Sequence, residues 1–573
     1  MKKRWVINTP PEWAKIDALS KDLDCSYVIA NLLLQRGVNT AEEAHAFFNP
    51  TLNMLHDPFL MKDMDKAVTR LERAIGNEEK IMIYGDYDVD GTTAVALLYK
   101  YLKNKCENPE YYIPDRYTEG YGVSIRAIDY AAENGISLMI VTDCGVKAVE
   151  KVRYAKSKGV DVIICDHHTP GDELPDAVAV LDPQRKDCNY PYRWLSGCGV
   201  SFKLAQAYSL RHNLSMSDLY KLLDLVCVSI ASDIVPITGE NRILAYFGLL
   251  QLNQNPSLGL KTILKFSGID KDLTVNDIVF RIGPKINAAG RVESGNKSVE
   301  LLIADDEKKA AEVAGSINNF NDQRKKLDHD ITEEALEYIN QSHYDQTQKA
   351  TVLYNPNWHK GVIGIVASRL TEYYYRPTVI LTESNGLATG SARSVEGFDL
   401  YYAISQCSEY LENYGGHKYA AGLTLKLENI EPFKTKFQKI VSETITEEML
   451  TPQINIDVQI KLNDITAELY TMIQKFAPFG PNNTIPVFMT DNVTNFIGSK
   501  QVGRNNEHLK LVVVDDTRLC NDRSGIAFGM GEDFSRISKG EYFDICYTLQ
   551  ENEFMGRSDI QMMIRDIKFK EEE

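Results

Sequence analysis

Long apolar runs are missing from this chain of 573 residues. Nothing approaches the roughly 20 consecutive apolar residues needed to cross a bilayer, and the N-terminus lacks the apolar centre of a secretory signal. Both absences exclude a helical membrane protein and lead us to expect a cytoplasmic one. Cysteine is sparse: ten residues are scattered without a CxxC pair, and Cys144, Cys165 and Cys227 lie in or beside apolar stretches. That excludes a disulfide framework and a structural zinc site, and fits reduced, buried thiols. Positive charge is also short, with 63 Lys and Arg against 80 Asp and Glu, a net charge of −17. Such a protein does not coat itself in nucleic acid by bulk electrostatics, although a local basic groove stays open to it. Internal repeats and low-complexity segments are absent too. The length suffices for about three or four domains.

What the chain does have is concentrated in residues 81–93, IMIYGDYDVDGTT. Residues 81–84 read as a short buried strand, and the chain breaks at Gly85. Asp86, Asp88 and Asp90 follow before Gly91 and a helix expected to start at Thr92–Thr93. Three carboxylates this close repel one another at pH 7. A folded site keeps them together when a positive charge, most simply a divalent metal, neutralises them. The plainer alternative is a solvated acidic turn capping the helix, but three acids fed by a buried strand exceed what a cap needs.

Residues 1–64 read as a polar, mostly helical lead-in without chemistry. From Lys66 onward, helices alternate with the strands KIMIYGD, EYYIPD, SLMIVTD and VDVIICDHH. Continuous apolar strands between amphipathic helices predict a parallel sheet covered on both faces, with ligands beyond the carboxyl ends of its strands. Three of these strands end in metal-type residues: Asp86, Asp143, and Asp166-His167-His168. Residues 199–252 read as helices, with Asp233 closing an apolar one before Pro236. Residues 305–342 read as one long charged helix, a connector rather than core. A second α/β unit starts near Ala350 and closes with GGHKYAAGLTL. After Thr451, short alternating strands predict a small barrel such as an OB-fold. Phe476, Phe479, Phe488, Phe496, Phe528 and Tyr547 are its aromatic candidates for base stacking, although alternation must send several into its core. The boundaries so drawn are 1–64, 65–304, 305–342, 343–450 and 451–573.

Taken singly, Asp143 reads as a helix cap and Asp233 as an ordinary helix end. His167 and His168 are either surface histidines or, since adjacent side chains diverge, one metal ligand and one substrate contact. Together, acids and one or two histidines at one sheet edge form an oxygen-rich site suited to Mn²⁺ or Mg²⁺. Two such ions can activate a water, clamp a phosphate and stabilise a leaving oxygen.

The motifs DYDVDG, VTDCG, DHH and SIASDIVP, in that order, resemble the four motifs of the DHH phosphoesterase superfamily. GPKINAAGR, GSARS and GGHKYAAG resemble further motifs of its single-strand-specific 5′→3′ DNA exonucleases. The resemblance implies an α/β fold in which a parallel-sheet DHH domain and a smaller α/β DHHA1 domain are joined by the long helix. A C-terminal OB-fold β-barrel follows them. It implies two divalent metal ions, Mn²⁺ or Mg²⁺, on Asp88, Asp90, Asp143, His167 and Asp233. Many superfamily members place a histidine where Tyr84 stands here. Asp86 is therefore expected to supply the missing ligand or an outer acceptor. His168 is expected to orient the site or contact the scissile phosphate. His417 would donate to a non-bridging oxygen, with Gly415 and Gly416 letting the backbone approach. Arg116, Arg291, Ser391 and Arg393 resemble the family's contacts to the 5′-phosphate and backbone.

The implied function is an exonuclease releasing 5′-mononucleotides from single-stranded DNA in repair and recombination. A monomer without membrane contact is expected, with a helicase or single-strand-binding protein as candidate partner. Two alternatives stand beside it. A DHH-family phosphodiesterase of short oligoribonucleotides or cyclic dinucleotides usually ends after DHHA1, so the barrel favours a long polymer. A non-catalytic single-strand-binding relative should have lost ligands, whereas the acidic and histidine positions are all present.

Overall fold

The structure, a computed structural model, describes residues 3–107, 109–269, 271–341, 348–515, 522–554 and 556–570. Outside them lie the ends of the N-terminal and C-terminal segments, residue 342 of the expected connecting helix, residues 343–347 of the second unit, Asp516 of LKLVVVDD, and Cys520.

Five parallel strands build the first sheet, in the order Glu110–Tyr112, Lys80–Gly85, Ile136–Thr142, Asp161–Cys165 and Ala179–Leu181. Successive side chains point to opposite faces. Ile81, Ile83, Leu138 and Ile140 therefore enter one core, with residues of helices Val89–Leu102, Gly197–Arg211 and Leu223–Ser232. Met82, Tyr84, Met139 and Val141 enter another, with residues of helices Ile125–Glu133 and Val149–Ser157. Both faces are covered, which is why these strands are apolar throughout rather than alternating. The chain leaves Lys80–Gly85 and Ile136–Thr142 in opposite directions, opening a crevice between their carboxyl ends. The helix after the first strand begins at Val89, not at Thr92. Asp88 is its N-cap and accepts the Gly91 amide at 3.0 Å, which places Asp90 within the first turn.

Helix Glu307–Gln341 has 35 residues and spans about 50 Å. It is more than a connector. Ala310, Val313, Ala314 and Ile317 belong to the core of the first domain. Ile331, Ala335 and Ile339 pack with Trp358, Val362 and Ile363 of the second. A helix polar overall thus carries an apolar stripe at each end.

The second sheet is ordered Leu411–His417, Ala420–Leu425, Leu387–Arg393, Thr378–Ser384 and Thr351–Tyr354, with only the last pair parallel. The C-terminal strands form a seven-stranded sheet closed by pairing of Phe488–Asn495 with His508–Val514. The helices read as a lead-in do not stand apart from it. Arg4–Ile7 pairs with Gln453–Ile456, and Ile16, Leu19, Ile29 and Leu33 share one core with Phe476, Phe488 and Tyr547. Phe479 packs against that core, whereas Phe496 and Phe528 are exposed. The nine described cysteines are free, and among the described residues no helix is long and apolar enough to cross a membrane.

Candidate active site

Gly85, Thr142, Cys165 and Leu181 pair across the first sheet in one row. The next residue of each strand is an aspartate: Asp86, Asp143, Asp166 and Asp182. Register alone therefore lines four carboxylates along the sheet edge. Asp182 escaped sequence reasoning because its strand, Ala179–Leu181, is too short to show a pattern. Burial pushes Asp182 up to about 7, against the Gln184 amide that it accepts.

His167 Nε2 is 3.1 Å from Asp143 and 3.6 Å from both Asp90 and Asp233. Asp90, His167 and Asp233 bring donor atoms close enough to hold one ion, as do Asp143, His167 and His168. Asp86 and Asp88 belong to neither set, although Asp88 shares a hydrogen bond with Asp143. Asp90 accepts from the amides of Gly197 and Cys198 at 2.7 and 2.8 Å and from Ser229 Oγ at 2.7 Å. The amino end of helix Gly197–Arg211 thus holds its carboxylate. A Cβ on Gly197 would come within 2.7 Å of Asp143 Cβ, so glycine is what lets this helix approach the cluster. Asp143 has φ 58°, a left-handed conformation retained at the site.

Burial, then the neighbouring carboxylates, push Asp86, Asp143 and Asp233 well above the usual carboxylate range and raise Asp88 as well. Burial also lowers His167, against the pull of Asp90, and leaves a neutral imidazole. Its buried Nε2 makes no hydrogen bond, and neither does the buried Oδ1 of Asp86. An orphaned imidazole nitrogen among three carboxylates is satisfied by a divalent cation. Many oxygens with one or two nitrogens suit Mn²⁺ or Mg²⁺.

Beside this cluster, Asp166 Oδ1 takes His168 Nδ1 at 2.7 Å and the amides of His167 and His168 at 2.7 and 3.2 Å. Its other oxygen accepts Val146 N. Burial would raise Asp166, but His168 and these amides hold it down at about 2. Burial pulls His168 down too, yet the bond to Asp166 outweighs it and raises His168 to about 9. His168 is thus cationic at neutral pH and, so protonated, is a hydrogen-bond donor rather than a ligand of the second set; its Nε2 lies 3.2 Å from the Tyr121 hydroxyl.

The second domain brings positive charge to this edge. His417 and Arg393 are both register partners of Ala420, so they project from the same face. Arg393 Nη1 donates to Ser391 Oγ at 3.0 Å. Gly416 lies at φ 147°, and a Cβ there would meet Ala420 O at 2.4 Å, whereas Gly415 faces open space. These glycines lie within a strand, Leu411–His417. Arg291, from the first domain, is brought down to about 10 by burial and then by Arg116 and Arg393. With Arg324 of the long helix acting on Arg291 as well, four guanidiniums therefore crowd together. Arg116 lies 4.9 Å over the Tyr87 ring. Arg291 Nη1 donates across the domains to Gly361 O at 3.1 Å, and Tyr117 donates its hydroxyl to Arg291 O. His417 is lowered by burial, then by Arg393 and His168, which places it between the two charge clusters. Sequence reasoning missed His359 and Lys360, both lowered by burial and then by Arg116. Their signal was the HKG that precedes helix Ile363–Tyr374.

A carboxylate–histidine cluster fit for divalent ions, faced by guanidiniums that converge from two domains, defines a metal-dependent phosphoesterase. Comparison with known proteins names the branch. Residues 80–230 match the DHH family, N-terminal domain; residues 347–443 match the DHHA1 domain; and residues 456–566 match the RecJ OB domain. The single-stranded-DNA-specific exonuclease RecJ of Bacillus subtilis (strain 168) is 37% identical over 569 residues, covering 99% of this chain and 71% of the relative. The enzyme of the same name from Salmonella typhimurium is 31% identical over 566 residues, 95% and 96% of the two chains. The crystal structure of RecJ in complex with Mn²⁺ from Thermus thermophilus matches with a TM-score of 0.85 at 25% identity, covering 99% of this chain and 79% of that one. The chain belongs to the RecJ family.

Proposed function

We propose that this protein is a metal-dependent exodeoxyribonuclease that degrades single-stranded DNA from its 5′ end and releases 5′-mononucleotides. One observation carries the proposal: Arg291, whose charge interacts with Asp88 of the metal-type cluster and with Arg116 and Arg393, donates to Gly361 O where the two domains touch. Two divalent ions, Mn²⁺ or Mg²⁺, on Asp88, Asp90, Asp143, His167 and Asp233 would lower the pKa of a water and neutralise the phosphate. Asp86, which like Asp88 stands outside both donor sets but keeps a buried Oδ1 without a hydrogen bond, completes the site as a ligand or an outer acceptor.

Cationic His168, held by Asp166, donates to a non-bridging oxygen as charge develops there. His417 and the backbone at Gly415 and Gly416 approach the phosphate from the other side. Arg116, Arg291, Ser391 and Arg393 bind a terminal 5′-phosphate through charge-assisted hydrogen bonds, which sets the end at which cutting starts. The barrel, residues 451–573, grips the rest of the strand by stacking bases on exposed Phe496 and Phe528. Residues 65–304 supply the metal cluster and residues 343–450 part of the phosphate cradle. We place the protein in cytoplasmic repair and recombination as a monomer, with unwound strand supplied by a helicase or a single-strand-binding protein.

End-labelled single- and double-stranded DNA, incubated with and without Mn²⁺, tests the proposal. Digestion of the single strand alone, only with the ion, is expected. Turnover of short RNA with none on long single-stranded DNA would assign the oligoribonucleotide phosphodiesterase instead.

A further inference from the structure

The segment from Asp233 to Arg242 is where the first domain meets the body formed by the barrel and the N-terminal helices. Arg242 is buried on helix Gly239–Gln254. Its guanidinium donates to Phe47 O at 2.7 Å and to Ala477 O at 2.9 Å, and lies 3.8 Å over the Phe47 ring. Phe47 is in the last turn of helix Ala41–Phe48, and Ala477 follows helix Ala467–Gln474. One cation thus closes the carbonyl ends of two helices, where positive charge is favoured. Nearer the metal cluster, Ile237 N donates to Pro481 O at 2.8 Å, and the Ile237 side chain lies against Gly480. Asn241 Nδ2 donates to Pro236 O at 3.0 Å and to Trp194 O at 2.5 Å. Trp194 stands just before Ser196 and Gly197, the helix start that holds Asp90.

Between these anchors Ile234 adopts φ 59° with its residue surface 63% exposed. A β-branched residue in the left-handed region is strained. So exposed a side chain has little burial of its own to keep it there, so the flanking anchors must. Asp233 precedes it directly and carries whatever direction the turn imposes.

We propose that the barrel body positions the metal centre: docked on Ile237 and Arg242, it holds the strained turn that aims Asp233 and, through Asn241 and Trp194, the helix start that aims Asp90. Arg242 is then a positioning residue for a metal site that it does not touch. This rests on the metal-centre reading given above. Ion affinity falls when the joint is loosened, even though no ligand is altered. By reciprocity, ion binding tightens the joint.

The test titrates full-length variants Arg242→Ala, Arg242→Lys and Gly480→Ala with Mn²⁺ alone, counting free ion by electron paramagnetic resonance. Circular dichroism checks the fold of each. A methyl at Gly480 would sit 2.4 Å from Ile237 Cγ1, so it pushes the turn from the barrel side and changes no ligand. Arg242→Ala should weaken Mn²⁺ binding about tenfold and Gly480→Ala about fivefold, within the range of coupling between sites. Arg242→Lys should recover part of the loss, as a cation without the guanidinium fork. Single-strand binding measured in EDTA should change far less than ion affinity. Should Arg242→Ala fail to fold, Gly480→Ala decides. Wild-type Mn²⁺ affinity in folded Gly480→Ala and Arg242→Lys overturns the inference. If the unaltered protein takes up no Mn²⁺, or Asp143→Asn takes up as much, the metal-centre reading itself fails and this inference falls with it.

Discussion

His168 Nδ1 lies 2.7 Å from Asp166 Oδ1, and this buried carboxylate keeps the histidine charged up to about pH 9. The proton resides on His168 below that pH and leaves as pH rises through it.

Asp166→Asn removes the charge that raises His168, so its pKa should fall toward the ordinary value of about 6.5. Near neutral pH, kcat should drop about fourfold, as the protonated fraction of His168 falls from nearly one to about a quarter. The alkaline limb of the pH–rate profile should move to lower pH, with part of the activity recovered on acidification. An unmoved alkaline limb would remove His168 from the reaction.

Asp143→Asn separates the metal from the fold. Asparagine tolerates the left-handed backbone at this position, and the change relieves repulsion among carboxylates whose pKa values are raised by burial and one another. The midpoint of thermal unfolding in EDTA should therefore rise, while cleavage falls by at least about 1000-fold. Added Mn²⁺ should stabilise the unaltered protein and leave this variant nearly unmoved. Cleavage close to wild type would sink the assignment of Asp143 as a ligand.

A strand blocked at its 5′ end should resist digestion, whereas one blocked at its 3′ end should be degraded. Arg393→Ala should erase most of the preference for a 5′-phosphate over a 5′-hydroxyl, a loss of about 1.5–3 kcal/mol for a charge-assisted bond. The opposite pattern of end protection would reverse the orientation of the groove.

The barrel aromatics divide into two kinds. Phe488 is fully buried, so Phe488→Ala should destabilise the fold by about 3–5 kcal/mol. Phe528 is 55% exposed, and Phe528→Ala should leave stability nearly unchanged while weakening long single-strand binding by about 1–3 kcal/mol. Denaturant unfolding and fluorescence anisotropy measure the two effects. Deleting the whole barrel is a poorer test, because it strips the apolar partner from Ile16, Leu19 and Ile29. Strand binding unaffected by Phe528→Ala together with Phe496→Ala would leave the barrel as a docking element.

Much of this protein was legible in short stretches of its sequence. Fully apolar strands can only be covered on both faces, so Asp86, Asp143 and Asp166 at their carboxyl ends had to share one edge. Alternating short strands after Thr451 announced a barrel for the same local reason. Tertiary structure decided the rest. Ala179–Leu181 is too short to carry a period, so Asp182 joined the row unseen. The long helix looked like a bare connector because its charge averages over two apolar stripes that face different cores. That Arg393 meets Arg291 and Arg116 depends on how this helix seats one domain on the other. Nor does any local pattern tell that Ile29 packs with Phe476, or that Arg242 caps Phe47 and Ala477. Contacts between distant segments are chosen by shape and by unsatisfied carbonyls, and neither leaves a periodic trace in the chain.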